Sequence, residues 1–222
     1  MKDSEYKFTR EELFAEQSLL DVYRISRLTP ANGLNVAISL TVFFVCCTYC
    51  VAVGQDQKDV LTILRQVTSD AISFTTSILG FLIAGFTIFV TTKPEVFFIM
   101  ARTPHKTGVN YLKYNISIFI LVFIHYLCFT IACMALRVFF ITKGPAELFL
   151  HSLPISQEAV RVVKNAGIAV VFTIFVTWLF YILMLLKSFI FNVYHVLMTG
   201  IALTIDDDGV DNDRMDDTAD SS

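Results

Sequence analysis

AISFTTSILGFLIAGFTIFVTT, Ala71–Thr92, runs for 22 residues without a charge between Asp70 and Lys93. That is enough to cross a bilayer as a helix. At 100° per residue, Ser73, Thr76, Ser77, Gly80, Ala84, Thr87 and Thr91 share one arc of about 100°. Every residue in the arc is small or hydroxylated, while Phe74, Phe81, Leu82, Phe86 and Phe89 lie outside it. No hydrophobic drive presses helices together in lipid, so close backbone approach and hydrogen bonds must do it. Thr76, Gly80 and Ala84 repeat the small-xxx-small spacing on this face. Two readings stay open: a groove that packs against neighbouring helices, and a hydroxyl-bearing lining for a water-filled path between subunits.

Three further stretches resemble it in length and lack of charge: Leu28–Gln55, Tyr114–Leu136 and Asn165–Leu186. With 55% hydrophobic and 17% charged residues, and the charges clustered, the composition excludes an ordinary soluble domain. The fold class expected is all-α: a polytopic bundle of four transmembrane helices at about 34–53, 71–92, 115–136 and 165–186, forming a domain over 34–187. Residues 1–27 are polar and charged and lack an apolar core, which predicts no cleaved signal and makes the first span its own anchor. Lys and Arg number 11 in the N-terminal, middle and C-terminal segments against 6 in the other two connections. The positive-inside rule then expects both termini in the cytoplasm of a bacterial inner membrane.

Residues 1–33 read as a cytoplasmic amphipathic helix and its breaker. Thr9 and Glu12 have capping-box spacing, Leu13, Leu20 and Tyr23 share a face, and Thr29–Gly33 (TPANG) interrupts the helix. Asp59–Val67 is apolar enough to continue the second span beyond the bilayer. Glu95–Arg102 reads as an interfacial helical turn that places Phe97, Phe98 and Met100 at the lipid surface. Gly144-Pro145 and Pro154 punctuate the longest connection, with Ser156 as N-cap of the last helix. From Ser156 to Met198 that helix would measure about 64 Å, twice the hydrocarbon thickness. The apolar segment 188–205 is therefore expected to leave the membrane or bend, and to pack on another chain or on neighbouring cytoplasmic segments. Residues 206–222, with eight aspartates and no aromatic residue, read as a disordered acidic tail.

Chemistry-bearing motifs are sparse. The sequence has no phosphate loop, HExxH, nucleophile elbow or EF-hand loop. The reading is of a protein that is not an enzyme and has neither cofactor nor metal site. No basic patch points to direct nucleic-acid binding. His125, the ionisable group deep in a span, needs a partner there and shares a face with Cys128 and Ala132, so it should point into the bundle. It serves either as helix glue or as a proton-sensing or pore-lining group. Cys47 and Cys50 form a Cys-x-x-Cys, and Cys128 and Cys133 make a second pair. Four-helix quinone-linked thiol-disulfide oxidoreductases share that general plan, whereas inert cysteines among Phe, Val and Ile are the alternative.

The block Ile78–Phe89, ILGFLIAGFTIF, followed by Lys93-Pro94 and by His105–Asn115, HKTGVNYLKYN, resembles the small transmembrane effectors of bacterial retron systems. The resemblance implies an abortive-infection protein in antiphage defence. It would be silenced by a reverse transcriptase–RNA/DNA complex and would injure the inner membrane once released. The function expected is a self-associating, membrane-permeabilising effector, with the lipid bilayer and further copies of the chain as partners. A non-conducting scaffold or accessory subunit, and the thiol oxidoreductase, are the alternatives.

Overall fold

The computed structural model describes residues 18–219 except 27–32, 55–56, 92–93, 104–107, 109, 142–143, 153 and 155, with side chains given as far as Ile201. Every regular element among them is a helix: α1 Leu19–Ser26, α2 Gly33–Val53, α3 Lys58–Val90, α4 Pro94–Arg102, α5 Tyr111–Phe139, α6 Pro145–Ser152 and α7 Gln157–Ala219. Four of them, α2, α3, α5 and α7, are long and apolar enough to cross a membrane. The chain is a membrane protein of the all-α class. The capping box at Thr9 and Glu12 and the breaker before Gly33 lie outside the described residues. Of the expected acidic tail, residues 206–219 belong to α7 and 220–222 lie outside the described residues.

Local chemistry sets the boundaries. Ser18 caps α1: its Oγ accepts from the Asp21 amide at 3.2 Å and donates to the Asp21 carboxylate at 2.7 Å. Helix α2 ends at Gly54, whose φ of 71° supplies the left-handed step that closes many helices. Gln57 then donates through Nε2 to the carbonyls of Cys50 (3.1 Å) and Gly54 (2.6 Å), covering the end of α2. Asn110 starts α5, its Oδ1 accepting from the Lys113 amide at 2.8 Å. Pro145 opens α6, where a missing N–H costs nothing. Ser156 caps α7 as its sequence position predicts, with the Ala159 amide donating to Oγ at 3.2 Å.

The chain divides into two compact units, and α3, α5 and α7 contribute to both. The larger comprises residues 30–82 and 122–186. In it α7 lies between α2 and α5, and α5 joins α3. Tyr49 meets Phe172, and Asn35 donates through Nδ2 to the Met184 carbonyl at 3.4 Å, tying α2 to α7. Phe129 of α5 stacks on Phe175 at 4.9 Å and meets Trp178 edge-on at 5.3 Å. Tyr126, fully buried, donates to the Ile182 carbonyl at 3.2 Å.

The smaller unit contains α1, the end of α3, α4, the start of α5 and α7 from Lys187 onward. Phe86 stacks on Phe119 at 4.6 Å, and Phe119 meets Phe189 at 5.4 Å. The Phe189 ring lies beside Gly85, where a Cβ would meet it at 3.5 Å, an ordinary van der Waals contact. Val96 and Met100 of α4 are buried with Val196 of α7, and Leu112 packs against them. The apolar extension of α7 thus packs on neighbouring segments of its own chain, as its composition predicts, within a helix continuous from Gln157 to Met198. Met100 departs from expectation. It is buried against α7, and Phe98 and Ile99 are the exposed large hydrophobic residues of α4. An eight- or nine-residue helix always has an inner face, and here Val96 and Met100, four apart, occupy it.

The link between α5 and α6 rests on Gly144, whose amide donates to the Ile141 carbonyl at 2.8 Å. A Cβ at this position would lie 2.7 Å from that same oxygen. Gly144→Ala is expected to destabilise the fold by about 1–3 kcal/mol. Gly167→Ala in α7, where a Cβ meets nothing within 4 Å, should instead be neutral or stabilising by up to about 1 kcal/mol. Unfolding by SDS titration in mixed micelles compares the two.

Candidate functional site

Helix α3 has two faces of different character. Val60, Leu64, Thr68, Ala71, Thr75 and Leu82 are buried. Ser73, Thr76, Ser77, Gly80, Ala84, Thr87 and Thr91 are all exposed. At 100° per residue the two sets are centred about 170° apart, on opposite sides of the helix. The small-residue arc is exposed in both units and is not buried by any of the described residues. The chain uses the bulkier side, where Leu and Val bring more atoms into van der Waals contact. The aromatic residues do not all turn away together either. Phe74 and Phe81 are exposed, whereas Leu82 is fully buried and Phe86 stacks inside on Phe119.

Four hydroxyls of the exposed face are satisfied on their own helix. Thr76 donates to the Ile72 carbonyl at 2.8 Å, Ser77 to Ser73 at 2.9 Å, Thr87 to Ile83 at 3.0 Å and Thr91 to Ile88 at 2.9 Å. Each oxygen keeps a lone pair for an approaching group. A Cβ at Gly80 would meet nothing within 4 Å, so the middle of this face is open to whatever lies beside it. The resulting surface is shallow, weakly polar and able to admit another backbone closely.

Polar contacts that run between helices sit elsewhere, at residues the sequence did not mark. Thr130 of α5 donates to Thr75 Oγ1 at 2.9 Å, with both residues buried. Arg65 donates through Nε and Nη2 to the Phe140 carbonyl at 2.9 and 2.6 Å. Thr75 adjoins Thr76 and has the same chemistry, and only the rotation of the helix separates their roles.

His125 is half-buried and meets Tyr181 of α7 edge-on at 5.6 Å, so it points into the bundle as expected. Cys128, which shares its face on a helical wheel, is exposed, whereas Cys133 is buried. Cys50 lies 3.9 Å from Thr173 Oγ1 and 3.9 Å from the Ala169 carbonyl, so its thiol contacts are on α7. Cys46 is also buried and Cys47 half-buried, and all five thiols are free. Among the described residues no disulfide or hydrogen bond joins the Cys47–Cys50 pair to Cys128 or Cys133, and no His, Cys, Asp or Glu cluster could hold a metal.

Comparison of the chain with protein-family models, with curated proteins and with solved structures finds no match. Function must be argued from the two faces of α3.

Thr75 and Thr76 provide the direct check. Thr75→Val removes the buried bond to Thr130 and is expected to cost the single chain about 0.6–1 kcal/mol. Thr76→Val, which loses only a bond to its own helix, should leave the chain within about 0.3 kcal/mol of its starting stability. Unfolding is followed in a detergent that keeps the protein monomeric.

Proposed function

We propose that this chain is a membrane-permeabilising subunit that self-associates through the exposed face of α3. The observation that carries the reading is the opposition of faces. One side of α3 is buried within the chain, and the other, small and hydroxylated from Ser73 to Thr91, is left bare. A second copy laying the same face against it would let the backbones approach at Gly80 and Ala84. Thr76, Ser77 and Thr87 would then stand at or beside the seam, where their spare acceptors can meet water or a neighbouring chain. Hydroxyl-lined seams between apolar helices are a physical route for water and ions across a bilayer.

The setting rests on the resemblance of Ile78–Phe89 and His105–Asn115 to retron transmembrane effectors. It makes the chain an antiphage toxin of the bacterial inner membrane with both termini cytoplasmic, silenced by a reverse transcriptase–RNA/DNA complex. No catalytic group is required, because the injury is the loss of the permeability barrier.

The test substitutes Gly80→Leu and Thr76→Leu, which fill the open face without touching the buried one. Val45→Leu, on the exposed surface of α2, is the control. Wild-type protein in liposomes is expected to cross-link as oligomers and release an entrapped dye. The two α3 variants should lower release by roughly tenfold, equivalent to about 1.4 kcal/mol of association, at unchanged helical content. Release unaffected by either variant overturns the reading, and oligomers that never leak identify a scaffold instead.

A further inference from the structure

At one end of the larger unit, α3, α5, α6 and α7 enclose an open cavity of about 600 Å³. Pockets of about 300–1,000 Å³ are the size that holds a small ligand. Its wall combines two chemistries. Phe139, Phe149, Ile168 and Val171 supply an apolar surface, while Arg65, Lys164 and Glu147 supply charge. Glu147 and Lys164 face each other at 3.6 Å, and with Arg65 beside them the wall carries two cations against one carboxylate, a net positive charge. The two bonds from Arg65 Nε and Nη2 to the Phe140 carbonyl hold its guanidinium in place and leave the Nη1 donors uncommitted among the described contacts.

The charges and the hydrocarbon are not mixed at random along the helices. The uncharged run of α7 begins at Asn165, immediately after Lys164, and that of α3 begins at Ala71, about 9 Å along the helix from Arg65. Gly167, Ile168 and Val171 belong to the uncharged run. The cavity therefore straddles the boundary between charged and uncharged helix, with cations at one level and a greasy wall at the other. Phe139 and Phe149 are more than half exposed on it, a surface that favours hydrocarbon over water. Gly167 adds an independent sign. It is a glycine within a helix and lines the cavity, yet a Cβ there would meet nothing within 4 Å. Glycine in a helix interior costs up to about 1 kcal/mol relative to alanine, and no contact inside the chain requires it. The wall at this point is open: a methyl group would leave room beside it, whereas a leucine would fill it.

We propose that this cavity is a binding site for a membrane lipid with an anionic phosphate headgroup, the phosphate meeting Arg65 and Lys164 and an acyl chain lying along Gly167, Ile168 and Val171. Basic pockets between membrane helices favour such headgroups, and a guanidinium recognises a phosphate through more than one N–H. The site uses neither Gly80 nor any residue of the exposed α3 face, so it stands or falls apart from self-association.

The experiment titrates phosphatidylglycerol and, separately, phosphatidylcholine of the same acyl chains into the detergent-solubilised full chain, with bound lipid read by native mass spectrometry. Phosphatidylglycerol is expected to be retained in preference. Arg65→Gln and Lys164→Gln should each lower its retention roughly tenfold, as loss of one charge-assisted contact does. Gly167→Leu should abolish retention of either lipid by filling the wall, while Gly167→Ala keeps it, both at unchanged helical content. Because Arg65→Gln also removes the bond to Phe140, Lys164→Gln and the Gly167 pair carry the test if that variant misfolds. Equal retention of the two lipids, undiminished retention by Gly167→Leu, or displacement of the lipid by inorganic phosphate alone would each overturn the proposal.

Discussion

The structure depends on how polar side chains are satisfied in apolar surroundings. Water is absent from the core of a bilayer, so a hydroxyl or amide there must find its partner within the protein. Most of the serines and threonines in the long helices turn back on their own backbone, as Ser39, Thr41, Thr48, Thr68, Thr76 and Ser77 do. Such bonds make a helix self-sufficient and say nothing about its neighbours. Among the described residues the bonds that cross between helices are few, and two fall within one turn of α7: Tyr126 on the Ile182 carbonyl and Asn35 on that of Met184. With the aromatic stack of Phe129 on Phe175, they make α7 the helix against which α2 and α5 are positioned.

Helix α3 is attached to this assembly by its bulky side. Its opposite face carries residues that contribute little to a single chain: glycine, serine and threonine are weaker helix formers than leucine, and none of the seven is buried. A face selected only to meet lipid would be as well served by the aliphatic and aromatic residues that flank it, such as Phe81, Ile83 and Ile88, all more than half exposed. Stability of the isolated chain therefore does not account for the composition of this arc. Close approach of another helix, as proposed above, would account for it, because small side chains let backbones come near enough for van der Waals contact and weak hydrogen bonds to hold them.

Much of the architecture was legible in the sequence, and the parts that were not share a cause. Uncharged run length and flanking charge locate α2, α3, α5 and α7, the Ser156 cap is readable from its position, and the apolar content of 188–205 foretells its packing. Periodicity also marks the small-residue arc of α3 as one side of that helix. What it lacks is the absolute rotation of each helix. In water the apolar arc must face inward, but lipid is as apolar as a core, so hydrophobicity does not distinguish inside from outside. Thr75 and Thr76, or Cys128 and Cys133, are thus indistinguishable until their neighbours are placed. The short α4 fails for a related reason, since Phe98 and Met100 are both apolar and only the position of Val196 decides which is covered. Contacts such as Arg65 on the Phe140 carbonyl, 75 residues apart in the chain, leave no local trace at all.

The described glycines within the long helices sharpen the distinction between what the fold needs and what it merely permits. Gly85 has a neighbour inside the chain, the Phe189 ring, which a Cβ would meet in ordinary van der Waals contact. Gly80 and Gly167 have none, as a side chain at either would project into open space. Alanine at either position would make a better helix, so the single folded chain gives no ground for glycine there. Both lie where matter from outside the chain can come near, Gly80 at the centre of the bare face of α3 and Gly167 on the wall of the cavity beside Lys164. A second copy at the first and a lipid at the second, as proposed above, would convert the lost helix propensity into close contact, and the same physical argument, applied twice, separates the surfaces that serve the fold from those left to its surroundings.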